Sequence, residues 1–542
     1  MARRSIVIVP APTANGDLHV GHLCGPFLAA DVYARYRRAA GDQTLFGSGV
    51  QETQTFVVST ARRLGIAPES LTERAEEQVR SSLAALGISI DGFAPGDKGF
   101  RDFLCEFLGR LHAEGVFELR RMSFPYLPRT GEYLMEAYVQ GICPTCLADS
   151  CGGVCESCGH HINPGELREP RSTEHPDEEL TVRSAEILVL PLERYRERLR
   201  AHYLGPETVM RPHMRQALGE MLSRPLPDFP ITFPTGWGVP APFPEVPGQV
   251  INPAVEAIPA GIHTAAVAAT ATGHPPQAVD DLWLAGGDTE VVYFMGFDNT
   301  HPFALVGVAL LMAFGDRYLR PTMLTNEFYE LEHEKFSTSR GHVVWAQELA
   351  AETPRDVGRF YLASTSPEHQ RTNFSRSALA TLAGTRLIQP WNRLAEALNR
   401  WYDAQRPTPG WTLPVSPAGR TAAATMVSRF TGQAELSHYS LNRIAETITA
   451  QLARLAELAT RFESGDHAAA ASERAGDLYH EVETFLRAAA PVLIDLADEV
   501  LGATAPHLLD GAAEARQVHP RRLPRLADLA VATPQRPAPS AA

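Results

Sequence analysis

Ala11-Pro12-Thr13-Ala14-Asn15-Gly16-Asp17-Leu18-His19-Val20-Gly21-His22 is the stretch whose reading decides the fold. Before it stands Ser5-Ile6-Val7-Ile8-Val9, a short β-branched apolar run that predicts a strand buried on both faces of a parallel sheet. After it, a helical pattern runs from about His22 to Ala39. A strand, a tight Pro/Thr/Asn/Gly loop and a helix N-terminus together build an anion site, because unpaired backbone N–H groups and the helix dipole converge on the loop. His19 and His22 add directed donors, and Gly21 lets the backbone approach a phosphate closely. Alone, such a histidine pair is more often a helix cap or a surface feature; its position directly after a first strand favours the anion site.

With 542 residues the chain has room for two to four domains with large cores. Its 44% apolar and 21% charged composition is that of an ordinary globular protein, and a net charge of −14 argues against a generally basic nucleic-acid binder. Lysine occurs only at 98 and 335, so arginine carries nearly all positive charge and each lysine invites a role that needs a compact point charge. The apolar run in MARRSIVIV is too short for a signal peptide, and no run reads as long enough to cross a membrane. A cytoplasmic protein with no membrane partner is the expectation.

Short apolar runs alternate with helical patterns up to residue 119, as in one half of a doubly wound sheet. A cysteine-rich insertion follows over 120–228, and strand-like runs resume with Glu290-Val291-Val292-Tyr293-Phe294-Met295. The expected organisation is a first half-sheet at 1–119, the insertion at 120–228, a second half-sheet at 229–325, a loop region at 326–377, a helical bundle at 378–520 and a disordered tail at 521–542. Residues 234–248 and 263–276 are Pro/Gly/Ala-rich and carry no clear pattern. The fold class is therefore α/β, a Rossmann-type doubly wound parallel sheet with an insertion and a C-terminal α-helical bundle.

Five of the seven cysteines fall between 143 and 158. Cys143-Pro-Thr-Cys146 and Cys155-Glu-Ser-Cys158 are two CxxC knuckles, and two knuckles close a tetrahedral four-thiolate site for Zn²⁺ with no open position, which makes the metal structural. Cys151 breaks the symmetry and reads as a bystander. A redox dithiol is the competing reading.

APTANGDLHVGH resembles the HIGH motif of class I aminoacyl-tRNA synthetases, in its methionyl-tRNA synthetase form. Lys335-Phe336-Ser337-Thr338-Ser339-Arg340-Gly341 resembles the KMSKS loop of that family, Met295-Gly296-Phe297-Asp298 its GxD segment, and the cysteine knuckles its connective insertion. The resemblance implies that His19, His22, Lys335, Ser337 and Ser339 act on the phosphates of ATP·Mg²⁺, and that Asn15, Gly16, Gly21, Gly296, Asp298 and Arg340 hold the nucleotide. A serine-rich solvated turn and a buried structural aspartate are the plainer readings of the KMSKS-like loop and the GxD-like segment respectively. Thr338 replaces the motif's second lysine.

The same resemblance breaks down where methionine and tRNA are read. Family members place an aspartate for the substrate ammonium where this chain has Val50; Glu52 or Gln51 are substitutes after a register shift. The segment Pro253-Ala254-Val255-Glu256-Ala257-Ile258-Pro259-Ala260-Gly261 puts Ala254 and Gly261 where the family has tryptophan and tyrosine, and Ala11 and Thr13 stand where it has leucine and tyrosine. Ala257 completes the pocket set, and Glu256 either faces a polar or cationic substrate or caps a helix. In the helical region Gln389, Arg393 and Ala469 align with anticodon-reading positions, and no aromatic platform survives among them.

These features imply ATP-dependent formation of an aminoacyl-adenylate, with the acyl group passed to a small-molecule nucleophile such as an N-hydroxylated amine rather than to tRNA. That is similar to the synthetase-like domain of hydrazine synthetases, where a cupin partner completes the reaction. A methionine–tRNA ligase with a divergent pocket and a non-catalytic paralogue are the alternatives.

Overall fold

The computed structural model describes residues 4–206, 208–336, 342–463, 468–502, 509, 511 and 513–529. Strands β1 (Arg4–Ile8), β2 (Gln43–Gly49) and β3 (Gly92–Ala94) come first. An antiparallel ribbon, β4 (Glu118–Leu127) with β5 (Thr181–Leu190), carries the insertion, and β6 (Thr289–Gly296) and β7 (Thr322–Asn326) follow it. The central sheet is all parallel in the order β7-β6-β1-β2-β3. Chain order therefore reverses direction between β1 and β6, and a crevice at the carboxyl ends of those two strands is where such sheets bind ligands.

β1 has the two-sided burial its composition predicts. Val7 joins a core with Leu28 and Val32 of helix α1 (Leu28–Ala39), while Ile6 and Ile8 join Ile258 and Ile262 of helix α2 (Ala257–Ala271) on the other face. Helix α2 corrects two sequence expectations. It covers much of a stretch left without a pattern, and the helical segment Pro253–Ala271 is long and apolar enough to cross a membrane by length and composition. Here it is a core helix. A Cβ at Gly92 would stand 2.4 Å from Ala268 Cα, and one at Gly47 2.3 Å from Thr264 Cγ2. Glycines on the sheet and alanines on the helix thus let the two backbones close up, a packing that conceals any amphipathic stripe.

Helix α3 (Arg355–Ser364) leads into the helical region, where α4 (Gln389–Gln405) packs on α6 (Leu441–Glu463) and α5 (Pro417–Ala434) on α7 (Ala468–Ala489), with α8 (Ile494–Leu501) last. Arg359 of α3 is 1% exposed and reaches Asp31 of α1 at 2.6 Å, as well as the carbonyls of Leu86, Pro491 and Val492. Residues 521–529, expected as part of a disordered tail, instead run along α4. Asn392 and Asn399 each clamp one strap residue twice, donating to the carbonyls of Leu526 and Leu523 and accepting from their N–H groups at 2.8–2.9 Å. Trp391 Nε1 donates to the Pro524 carbonyl at 2.8 Å.

Candidate active site

The loop after β1 is zipped to the loop after β2. Ala14 N–H donates to Gln51 O at 2.9 Å, and Gln51 N–H to Pro12 O at 2.8 Å. Asp17 Oδ1 accepts from Leu18 N–H and from Ser82 Oγ, both at 2.7 Å. His19 then caps the helical turn Val20–His22, which passes through a wide π-turn, Leu23–Phe27, into α1. Pro26, which has no N–H to donate, lies inside that turn.

Backbone groups fix the tautomers of both histidines. Gly21 N–H donates to His19 Nδ1 at 3.1 Å, and His19 N–H to His22 Nδ1 at 3.3 Å. A neutral ring that accepts at Nδ1 carries its proton on Nε2. Burial drives the His22 pKa down to about 4, and burial followed by the nearness of His22 puts His19 well below its ordinary value. With ring centroids 3.9 Å apart, the pair is neutral at pH 7 and offers two Nε2–H donors. Gly21 is required here, since a Cβ would lie 2.9 Å from the His19 ring.

The second signature loop meets the first. Phe336 stacks on the His19 ring at 4.6 Å and 4°. Past it, Val20 N–H donates to Val344 O at 3.0 Å and Ala346 N–H to Leu18 O at 2.9 Å. Ser337, Ser339 and Arg340, together with Thr338, lie outside the described residues; Lys335 is placed by its backbone, paired with Glu330. Gly296 ends β6, and a Cβ there would collide with Asp298 Oδ1 at 2.4 Å, so the glycine and the aspartate are a matched pair. The neighbouring approach is equally tight: a Cβ at Gly25 would lie 2.6 Å from Asn326 Nδ2. Asn15 and Gly16 sit on the turn before His19, and nothing crowds Gly16. The histidines follow β1 and Gly296 ends β6 with Asp298 just after it, so both motifs stand at the carboxyl ends of the two strands between which the chain order reverses.

After β1 and β2, at the start of α2, lies a half-open cavity. Of the pocket residues expected from sequence, Ala11, Val50, Glu52, Glu256, Ala257 and Gly261 line it. Thr13 and Ala254 do not. Thr13 donates to Gln54 Oε1 at 2.5 Å, and Ala254 packs into the core under α2. Glu52, the alternative to a missing aspartate, lines the cavity and pairs through Oε1 with Arg101. Glu256 is no cap: Asn252 caps that turn, accepting from Ala254 N–H at 3.0 Å. Glu256 is 2% exposed, and its Oε2 accepts from Thr53 at 2.8 Å and Gln51 at 3.1 Å. Burial, then the proximity of Glu52 and Glu136, raises its pKa to about 8.

Sequence reasoning missed Tyr293 and His263, which also line the cavity. A Cβ at Gly261 would be 1.7 Å from the Tyr293 hydroxyl, so the phenol from β6 occupies the room that a side chain at 261 would take. The pocket has not simply widened where a large residue was expected. Its wall comes from another element, and no single-residue alignment carries that signal.

In the insertion, the Sγ atoms of Cys143, Cys146, Cys155 and Cys158 all lie within 4.8 Å of one another. Separations of 3.9 Å for Cys143–Cys158 and 3.6 Å for Cys146–Cys155 bracket the ~3.8 Å edge of a tetrahedron with ~2.3 Å zinc–sulfur bonds. Positive φ at Leu147 and Gly159 turns each knuckle. The four residues fit a structural Zn²⁺, and Cys151 stands outside the cluster. In the helical region Gln389 and Arg393 are exposed one turn apart on α4, and Ala469 stands near the start of α7.

The family described as tRNA synthetases class I (M) matches residues 5–400. Methionine–tRNA ligase of Roseiflexus sp. (strain RS-1) is 31% identical over 400 residues, covering 72% of this chain and 67% of that protein. The corresponding ligase of Cytophaga hutchinsonii is 29% identical over 412 residues, covering 74% of this chain and 59% of its own length. The matched part of the chain therefore spans about three-fifths to two-thirds of these relatives. In fold, the chain is similar to Mycobacterium tuberculosis methionyl-tRNA synthetase bound by methionyl-adenylate, with a TM-score of 0.75 at 21% identity over 97% of this chain and all of that one.

Proposed function

Because the chain belongs to the class I tRNA synthetases of type M, we propose that it activates an amino acid with ATP and passes the acyl group to a small nucleophile. The activation step needs no covalent enzyme intermediate. A carboxylate oxygen attacks the α-phosphorus of ATP, the bond from that phosphorus to the bridging oxygen breaks, and pyrophosphate leaves with its electron pair. The observation that carries this reading is the buried, neutral histidine pair at the chain-order reversal of the sheet. Two Nε2–H donors held by backbone groups stabilise charge on the α-phosphate without reorganising during the reaction.

On this reading Lys335, Ser337, Ser339 and Arg340 receive the pyrophosphate with Mg²⁺, Gly296 and Asp298 hold the adenosine, and Zn²⁺ braces the insertion through its four thiolates. Acyl transfer to an N-hydroxylated amine, rather than to tRNA, is favoured by the pocket. Val50 cannot hold an ammonium, and at Gly261 the wall is supplied by Tyr293 instead of by that position's own side chain. A cupin-type partner would then complete the chemistry. Amino-acid-dependent exchange of pyrophosphate into ATP, measured without tRNA, tests the activation step. The wild type should exchange and His22→Ala should not, with zinc content unchanged in both. Absence of exchange across all standard amino acids would reject the reading, and a response to methionine alone, with charging of tRNA, would return the chain to its relatives' activity.

A further inference from the structure

Three buried polar atoms among the cavity-lining residues have no hydrogen-bonding partner among the described residues: Glu256 Oε1, Tyr293 Oη and His263 Nδ1. Their residues are 2%, 0% and 8% exposed. A buried polar group left unsatisfied costs about 1–3 kcal/mol, and three around one cavity are a cost that a polar ligand would relieve. The atoms are spread along α2. Glu256 stands at its start, the Tyr293 hydroxyl lies against Gly261, and His263 comes seven residues after Glu256, about 10 Å further along the axis at 1.5 Å per residue. Between them Ala257, Ala260 and Gly261 present small apolar surface.

We propose that this cavity selects an amino acid whose side chain carries a hydrogen-bonding group, with Glu256 holding an amine of the substrate and Tyr293 and His263 reading the polar end of its side chain. The inference rests on the amino-acid-activation reading and specifies its substrate class. Glu256 is the lining carboxylate with a buried oxygen that has no partner among the described residues, whereas Glu52 is partly exposed and pairs through Oε1 with Arg101, and Val50 offers no charge. Glu256 has no cationic partner within ion-pair distance among the described residues, and its Oε2 is already oriented by Thr53 and Gln51, which leaves Oε1 for the ligand. Tyr293 is backed by Trp283, with ring centroids 6.2 Å apart, so its hydroxyl is held in place rather than swinging to meet a ligand.

The test is exchange kinetics and tRNA-free equilibrium binding on the full chain, using pairs of equal shape: threonine against valine, and homoserine and 2,4-diaminobutyrate against norvaline. The hydrogen-bonding member of at least one pair should be preferred by about 100-fold or more in kcat/KM, the size expected when a site built around polar groups rejects the apolar analogue. Tyr293→Phe should remove most of that preference with no loss of thermal stability. Glu256→Gln should raise the amino-acid KM at least tenfold and leave the KM for ATP unchanged. Equal or reversed preference in every pair, or variants with wild-type constants, would overturn the proposal and leave the activation reading standing. Should no amino acid support exchange, Glu256-dependent binding of homoserine or 2,4-diaminobutyrate would uphold the pocket assignment while the activation reading fell. No such binding would remove both.

Discussion

Glu256 couples the cavity to pH. Its folded-state pKa of about 8 lies above the ordinary 4.5, so between those values the folded protein keeps a proton that the unfolded chain has lost. The group's contribution to stability is complete below about pH 4.5 and is lost as pH rises towards 8. Glu256→Gln removes that dependence. Relative to wild type, the variant should gain on the order of 3–4 kcal/mol on going from pH 5 to pH 8, at about 1.4 kcal/mol per pKa unit, read by urea melts at the two pH values. A difference that stays flat with pH would mean the carboxyl is ionised throughout. At this scale the sequence was legible where chemistry is local: the two histidines, Gly21 and the four cysteines announce themselves by spacing. It was silent on Tyr293, whose position on a strand shows only that it alternates with its neighbours. Which residue it would meet across the sheet depends on helix packing that no local pattern encodes.

Among the elements, the cysteine knuckles and the strap at 521–529 make opposite lessons. Two CxxC turns are self-contained, so their site can be read from spacing. Cys146→Ser should lower the bound zinc of the purified protein from about one ion per chain to a small fraction and destabilise the insertion, because a structural metal is part of the folding free energy of so small a lobe. Full zinc occupancy in that variant would exclude the four-thiolate site. The strap has no pattern of its own, since Pro524 is placed by Trp391 and Leu523 and Leu526 by the Asn399 and Asn392 side chains, on a helix more than a hundred residues earlier. A chain ending at 520 should lose amide-exchange protection along Gln389–Gln405 and melt at lower temperature; unchanged protection there would show the strap to be ornamental.

For the molecule as a whole, the doubly wound order and the helical region followed from alternating patterns, but the joint between them did not. That joint is Arg359, held by Asp31 and the carbonyls of Leu86, Pro491 and Val492, which ties α1 and α3 to the stretch before α8. Both charges are fully buried, and removing Arg359 leaves Asp31 with the partly exposed Arg35 at 3.0 Å as its one remaining cation among the described residues. Arg359→Ala should cost roughly 3–5 kcal/mol in denaturant unfolding, whereas Arg359→Met with Asp31→Leu should recover much of it. Equal losses in the single and double variants would place the effect in the lost carbonyl bonds instead. The exchange at Gly261 and Tyr293 has a different reach. Because the phenol oxygen stands where a side chain at 261 would begin, position 261 cannot gain a side chain unless position 293 gives up its hydroxyl. A change to a bulky residue at 261 meets a barrier unless position 293 has shrunk first. A laboratory library that varies one site at a time would discard the same solutions, while paired randomisation of 261 and 293 opens them.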